Sequence, residues 1–177
     1  MVLPRQIQAL AQMEQRFVAV AAGGSHALAL TATGALYGWG AANANGHERD
    51  THTPHRVAAL IGECVKFVAA GPGASCAVTE QGELFTWSAR GSSHHLGHGV
   101  DTPQATPKRV DALVGVRVAA VAIGGCHTLA ADEDGVVWAF GEEHGALGLD
   151  APEREDDDVV LTPAPIPKLR VRALKSP

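Results

Sequence analysis

Residues 21–40 read "AAGGSHALALTATGALYGWG": a glycine pair, a histidine, a short apolar run, a turn, and an aromatic run closing on Trp39-Gly40. Residues 122–141 read "AIGGCHTLAADEDGVVWAFG", the same pieces in the same order. A third version, "AAGPGASCAVTEQGELFTWS", fills residues 69–88. Self-similarity at a fixed step is the first signal to seek, because each copy is then one supersecondary unit. Turn glycines Gly34, Gly82 and Gly135 set a step of about 50 residues. The glycine pairs Gly23-Gly24 and Gly124-Gly125 precede the turn, with Gly71-Pro72 in the middle copy. Tyr37, Phe85 and Trp138 follow it, and then Trp39, Trp87 and Phe140.

One copy can be read element by element. In residues 26–31, His26, Leu28 and Leu30 share one face and Ala27 and Ala29 the other, the period of a strand. "TATG" is a turn, with Gly34 suited to a positive φ. Alternation resumes in residues 35–39. A small or modest residue, Gly38, Thr86 or Ala139, separates the two aromatics, so one face is bulky and the other slim. That asymmetry suits stacked sheets about 10 Å apart.

A second element, Pro-x-x-Val/Ile-x-x-Leu, recurs downstream as Pro54/Val57/Leu60, Pro107/Val110/Leu113 and Pro163/Ile166/Leu169. Pro54 is read as opening a last strand that runs to Leu60. Four strands at this repeat length predict an all-β chain of β-propeller blades, each of four antiparallel strands. About three blades are present: 18–60, 65–113, and 117–174 with an acidic loop at 150–161. The whole chain, 1–177, is one repeat domain. The chain start repeats the second element as Pro4, Ile7 and Leu10. Residues 1–17 are thus a strand from a preceding blade or, since 6–16 hold good helix formers, a short helix; the spacing favours the strand.

Composition sets outer limits. Hydrophobic residues make up 46% and charged residues 19% of the chain, a globular balance. The net charge of -5 does not favour a nucleic-acid surface. Cys64, Cys76 and Cys126 are odd in number and form no Cys-x-x-Cys pair, which points to a reducing compartment. The N-terminus lacks the apolar block of a signal peptide. The most apolar stretch, 116–131, is broken by Gly124, Gly125 and His127, which argues against a membrane span. The expected location is intracellular, cytoplasmic or nuclear.

Candidate chemistry is sparse. His94, His95 and His98 form a His-His-x-x-His cluster, but a zinc site needs three or four tetrahedral ligands, and a polar loop is the simpler reading. His26 and His127 follow equivalent glycine pairs and read as histidines bonded to a neighbouring turn. Glu153, Glu155, Asp156, Asp157 and Asp158 lack calcium-loop spacing and read as a solvated loop or a docking patch for a partner. No phosphate-loop, zinc-protease or nucleophile-elbow motif occurs. The sequence assigns no catalytic residue, no cofactor and no metal.

Gly23-Gly24-Ser25-His26, then Gly34-Ala35-Leu36-Tyr37-Gly38-Trp39-Gly40, then Leu96-Gly97-His98-Gly99 and the Thr-Pro element together resemble the regulator of chromosome condensation repeat. The resemblance covers nearly the whole chain. It implies a β-propeller, usually of seven blades, closed by strands from both termini. Three copies cannot close such a ring, so an incomplete or open arc is expected, either a fragment of a longer chain or a self-associating one. Copy one has "NANGHERD" in place of Leu-Gly-x-Gly, copy two has Ala74 at the histidine position and Ser88 after Trp87, and copy three carries "PEREDDD". For function the resemblance implies a protein-interaction module. The alternatives are guanine nucleotide exchange on a Ran-type small GTPase and a substrate-recruiting piece of a ubiquitin ligase. A light sensor like the plant ultraviolet-B photoreceptor needs clustered tryptophans, and only three occur, each at a blade-core position.

Overall fold

The computed structural model describes residues 6–42, 44–89, 93–142, 147–149 and 159–172. They form three four-stranded antiparallel sheets. The first holds β1 (Phe17–Ala22), β2 (His26–Thr31), β3 (Leu36–Gly40) and β4 (Thr51–Arg56). The second holds β5 (Val65–Ala70), β6 (Ser75–Thr79), β7 (Leu84–Ser88) and β8 (Gln104–Arg109). The third holds β9 (Val118–Ile123), β10 (His127–Asp132), β11 (Val136–Glu142) and β12 (Val159–Arg170). Neighbours in sequence are neighbours in each sheet, an up-and-down meander.

The sheets stack in series, with β1 against β5 and β5 against β9. Each sheet has a front and a rear. Phe85 and Trp87 on the front of the second sheet enter the same core as Leu28, Leu30 and Leu36 from the rear of the first. Trp138 and Phe140 of the third sheet meet Cys76, Val78 and Leu84 in the same way. Burying a large apolar side chain contributes roughly 1.5–3 kcal/mol, so these fronts dominate each joint. The arrangement is an open arc of propeller blades.

Three expectations are corrected. First, the Pro-x-x-Val-x-x-Leu element is not one strand. β4 ends at Arg56, Val57 turns the chain, and Ala58–Leu60 form a 3-10 turn; Val110 and Asp111–Leu113 repeat this. Residues three apart eclipse in a 3-10 turn, which sends Val57 and Leu60 into one core. In the third copy the strand runs on, and Ile166 lies inside β12.

Second, the N-terminal copy is helical rather than extended, with α1 at Gln8–Ala11. Ile7 precedes it with φ -76° and ψ 99°, matching Val57 at -72° and 103° and Val110 at -83° and 92°. The spacing thus encodes the corner after the strand. Pro4 lies outside the described residues. Third, the slim position serves the blade's own loop rather than the next blade. A Cβ on Gly38 would collide with the Asn45 carbonyl.

Candidate interaction surface

The glycine turns and the long β3–β4 loops share one rim, since β1 and β3 end where β2 and β4 begin. The loops do more than cross the rim. The first two fold back as wedges, each between its own sheet and the next. In the first, Ala44 and Asn45 are fully buried. Asn45 Nδ2 donates to the carbonyls of Gly40 and Arg49, both at 3.0 Å, and its Oδ1 accepts from the His47 amide at 2.8 Å. In the second, His95 and Leu96 are buried, and Thr86 Oγ1 donates to the Leu96 carbonyl at 2.6 Å. In the third, Leu147 is fully buried.

Gly46, Gly97 and Gly148 follow Asn45, Leu96 and Leu147 with φ of 83°, 78° and 63°. This left-handed backbone favours glycine. Copy one therefore keeps the Leu-Gly wedge in altered form, as Asn45-Gly46. The missing leucine side chain is replaced by a set of hydrogen bonds, a substitution the sequence pattern concealed.

Each of these two wedges offers a carbonyl to the following sheet. The Ala44 oxygen accepts from Ser75 Oγ at 2.9 Å and from Trp87 Nε1 at 2.8 Å. The His95 oxygen accepts from Thr128 Oγ1 at 2.8 Å. His26 Nε2 lies 2.6 Å from Ser75 Oγ. The Ser75 proton already goes to Ala44, so the imidazole donates to the hydroxyl. His26 therefore bonds to the next sheet, not to a neighbouring turn as its sequence position suggested. Burial holds its pKa below the ordinary histidine value, which keeps it neutral. A serine beside a histidine invites a nucleophile reading, yet Ser75 is fully buried and its proton is committed. The pair is a structural tie.

The second joint is built differently. Ala74 stands where His26 stands, and the histidine chemistry moves into the wedge. His94 Nε2 is 2.9 Å from Asp101 Oδ2, and His94 Nδ1 is 3.3 Å from Glu142 Oε1. His95 beside it is held below the ordinary value by burial. His98 is lowered by burial as well and meets Thr86 Oγ1 at 3.1 Å. His94 and His98 thus bond to different partners, and among the described residues no group has metal-holding geometry. Cys126 is raised by burial and by a bond to Glu142; Cys76 is pushed up to about 12 by burial. Cys64, Cys76 and Cys126 are all free thiols. The acidic positions Glu153, Glu155, Asp156, Asp157 and Asp158 lie outside the described residues.

The opposite rim carries exposed ion pairs. Arg109 spans Glu83 at 3.0 Å and Asp111 at 3.1 Å, and Arg117 meets Glu133 at 2.9 Å.

The two ends of the arc show what a joint normally hides. Val20, Val68 and Val121 occupy one repeat position; the last two are 7% and 6% exposed, whereas Val20 is 76% exposed. At the other end, Leu129, Ala131, Val137, Leu169 and Val171 line an open apolar hollow.

Two segments match family descriptions of the "Regulator of chromosome condensation (RCC1) repeat": residues 17–46 and residues 81–131. The human E3 ubiquitin-protein ligase HERC2 is 36% identical over 158 residues, 85% of this chain and 3% of its own length. The Ultraviolet-B receptor UVR8 of Arabidopsis thaliana is 34% identical over 140 residues, 76% of this chain and 32% of its own. Among solved structures, Prp20p of Saccharomyces cerevisiae superposes with a TM-score of 0.75 at 29% identity, covering 94% of this chain and 41% of that one. The chain belongs to the regulator of chromosome condensation repeat family. Human WBSCR16 superposes at 0.72 with 29% identity, covering 88% of this chain and 39% of that one. The chain thus spans well under half of each of these relatives.

With the family in hand, the repeat positions have physical duties. Gly34, Gly82 and Gly135 sit at φ of 80°, 83° and 83°. A Cβ on Gly23 would run into the Gly71 carbonyl and one on Gly71 would stand 2.8 Å from the Gly124 carbonyl, so the glycine turns crowd one another along the arc. Gly24 meets Pro72 and Gly125 is open. Tyr37 is buried edge-on against Phe17. His127 is half-buried at the start of β10. The three tryptophans lie on three different sheets: Trp39 half-buried, Trp87 fully buried, and Trp138 donating to Asp132 Oδ2 at 3.0 Å. No helix among the described residues is long and apolar enough to cross a membrane.

Proposed function

We propose that this chain is a non-catalytic protein-interaction module whose recognition surface is the wedge-loop rim. The observation that carries this reading is the construction of the loops. Each is anchored by a buried stretch, Ala44–Gly46 or His95–Gly97, while its flanks, including His47, Glu48, Asp50 and Asp101, remain at the surface. Variable loops on a rigid scaffold are the usual seat of recognition. The acidic stretch at 153–158 lies in the corresponding third loop of the sequence, and we assign it to docking a basic partner. Related structures support a protein partner: Prp20p is described with its binding to Gsp1p and histones, and yeast RCC1 bound to Kap60.

In the same reading, the open ends of the arc are completed by further blades of the same repeat. Nucleotide exchange on a small GTPase is the competing reading, since fold alone does not carry activity; substrate recruitment for a ubiquitin ligase is a special case of the first. Release of labelled guanine nucleotide from a Ran-type GTPase separates them. Acceleration by substoichiometric amounts of this chain overturns the non-catalytic reading. Stoichiometric binding without acceleration, weakened when the 153–158 carboxylates become amides, supports it.

A further inference from the structure

We propose that His94 is a proton-operated latch joining the wedge loop of the second sheet to the edge of the third. The argument rests on hydrogen-bond chemistry at one ring. His94 opens the 3-10 turn His94–Leu96. Its Nε2 faces Asp101 Oδ2 at 2.9 Å within the same loop, and its Nδ1 faces Glu142 Oε1 at 3.3 Å at the end of β11. An ionised carboxylate only accepts hydrogen bonds, and a neutral imidazole carries a single N–H. Both contacts therefore hold together only in the imidazolium. Loss of the proton leaves one nitrogen bearing a lone pair against a carboxylate, and one of the two links opens.

The groups around the ring define how the latch behaves. Glu142 also takes a bond from Cys126 in the β9–β10 turn, so the link joins the second wedge loop to two pieces of the third sheet's rim, that turn and the end of β11. His95 lies beside His94 and feels Glu142, Asp101 and His127 as well. Acid that charges His95 places a like charge beside His94 and works against the latch. The latch is thus closed in the imidazolium form of His94 and opens when that proton is lost. The joint between the first and second sheets uses Ser75, His26 and Trp87 instead, so this response belongs to the second joint.

The loop that the latch holds lies on the rim assigned above to recognition. The latch itself does not depend on that assignment, and its test reads no binding.

Amide hydrogen exchange of the whole chain, corrected for intrinsic rates, is measured at about pH 6 and about pH 8. Protection at positions 93–103 and at Glu142 is expected to fall about two- to five-fold more than in β5–β7, the scale of a partly exposed charge pair. His94→Gln and Glu142→Gln each remove the excess fall. Indifference of the wild-type loop to pH overturns the latch, as does a full pH response in His94→Gln. If those variants fail to fold, nitrogen chemical shifts of the wild-type His94 ring decide: two protonated nitrogens at about pH 6 support the latch, and a neutral tautomer there overturns it.

Discussion

Gly38 has no room for a side chain, because the carbonyl of Asn45 occupies the place where its Cβ would stand. Gly38→Val forces the first wedge off its sheet and breaks the Ala44 contacts to Ser75 and Trp87 with it. A loss of about 2–4 kcal/mol in urea unfolding is expected; a loss below about 0.5 kcal/mol would mean that the loop rearranges freely. His26 supports a prediction of pH dependence. Its pKa is lowered by burial, so below about 6.5 the unfolded chain takes up a proton that the folded ring refuses. Stability from this group is complete above that pH. It declines as pH falls toward the folded value, with a slope of up to about 1.4 kcal/mol per pH unit. His26→Asn should flatten that part of the acid limb in denaturant titrations, and an unchanged limb would remove His26 from the account.

At the scale of elements, the wedge loop is the part least visible in the sequence. The strands were legible because period-two alternation and the Gly34, Gly82 and Gly135 turns recur in register. The fronts were legible because Tyr37, Phe85 and Trp138 recur with them. Three things were not. Val57 and Leu60 are spaced for a 3-10 corner, but three-residue spacing beside a proline also suits the end of a strand. Asn45 does the work of Leu96 by hydrogen bonding, so apolar pattern matching passes over it. The His26–Ser75 tie spans 49 residues, and local pattern cannot reveal its partner. Asn45→Ala tests the second point. It leaves the Gly40 and Arg49 carbonyls and the His47 amide without their partner, and a cost of about 1–3 kcal/mol is expected. Hydrogen exchange should rise in residues 41–50 before it rises in β1–β3; a uniform rise would show that the loop does not act as its own unit.

For the molecule as a whole, the arc's ends decide its state in solution. A position that the repeat buries at Val68 and Val121 stands open at Val20. Contiguous apolar surface beyond a few hundred Å² marks a site of association. Val20 and Val68 therefore give a matched pair of variants. Val68→Lys puts a charge into the joint between the first and second sheets and should destabilise the isolated chain by about 3 kcal/mol or more. Val20→Lys should leave its unfolding within about 0.5 kcal/mol, as at an ordinary surface site. The same lysine at position 20 should reduce binding of a hydrophobic dye and block any concentration-dependent gain in mass seen by light scattering. Suppose instead that Val20→Lys destabilises the chain as Val68→Lys does at every concentration. Then the front of the first sheet is already covered within a single molecule, and the open-arc account of this end is wrong.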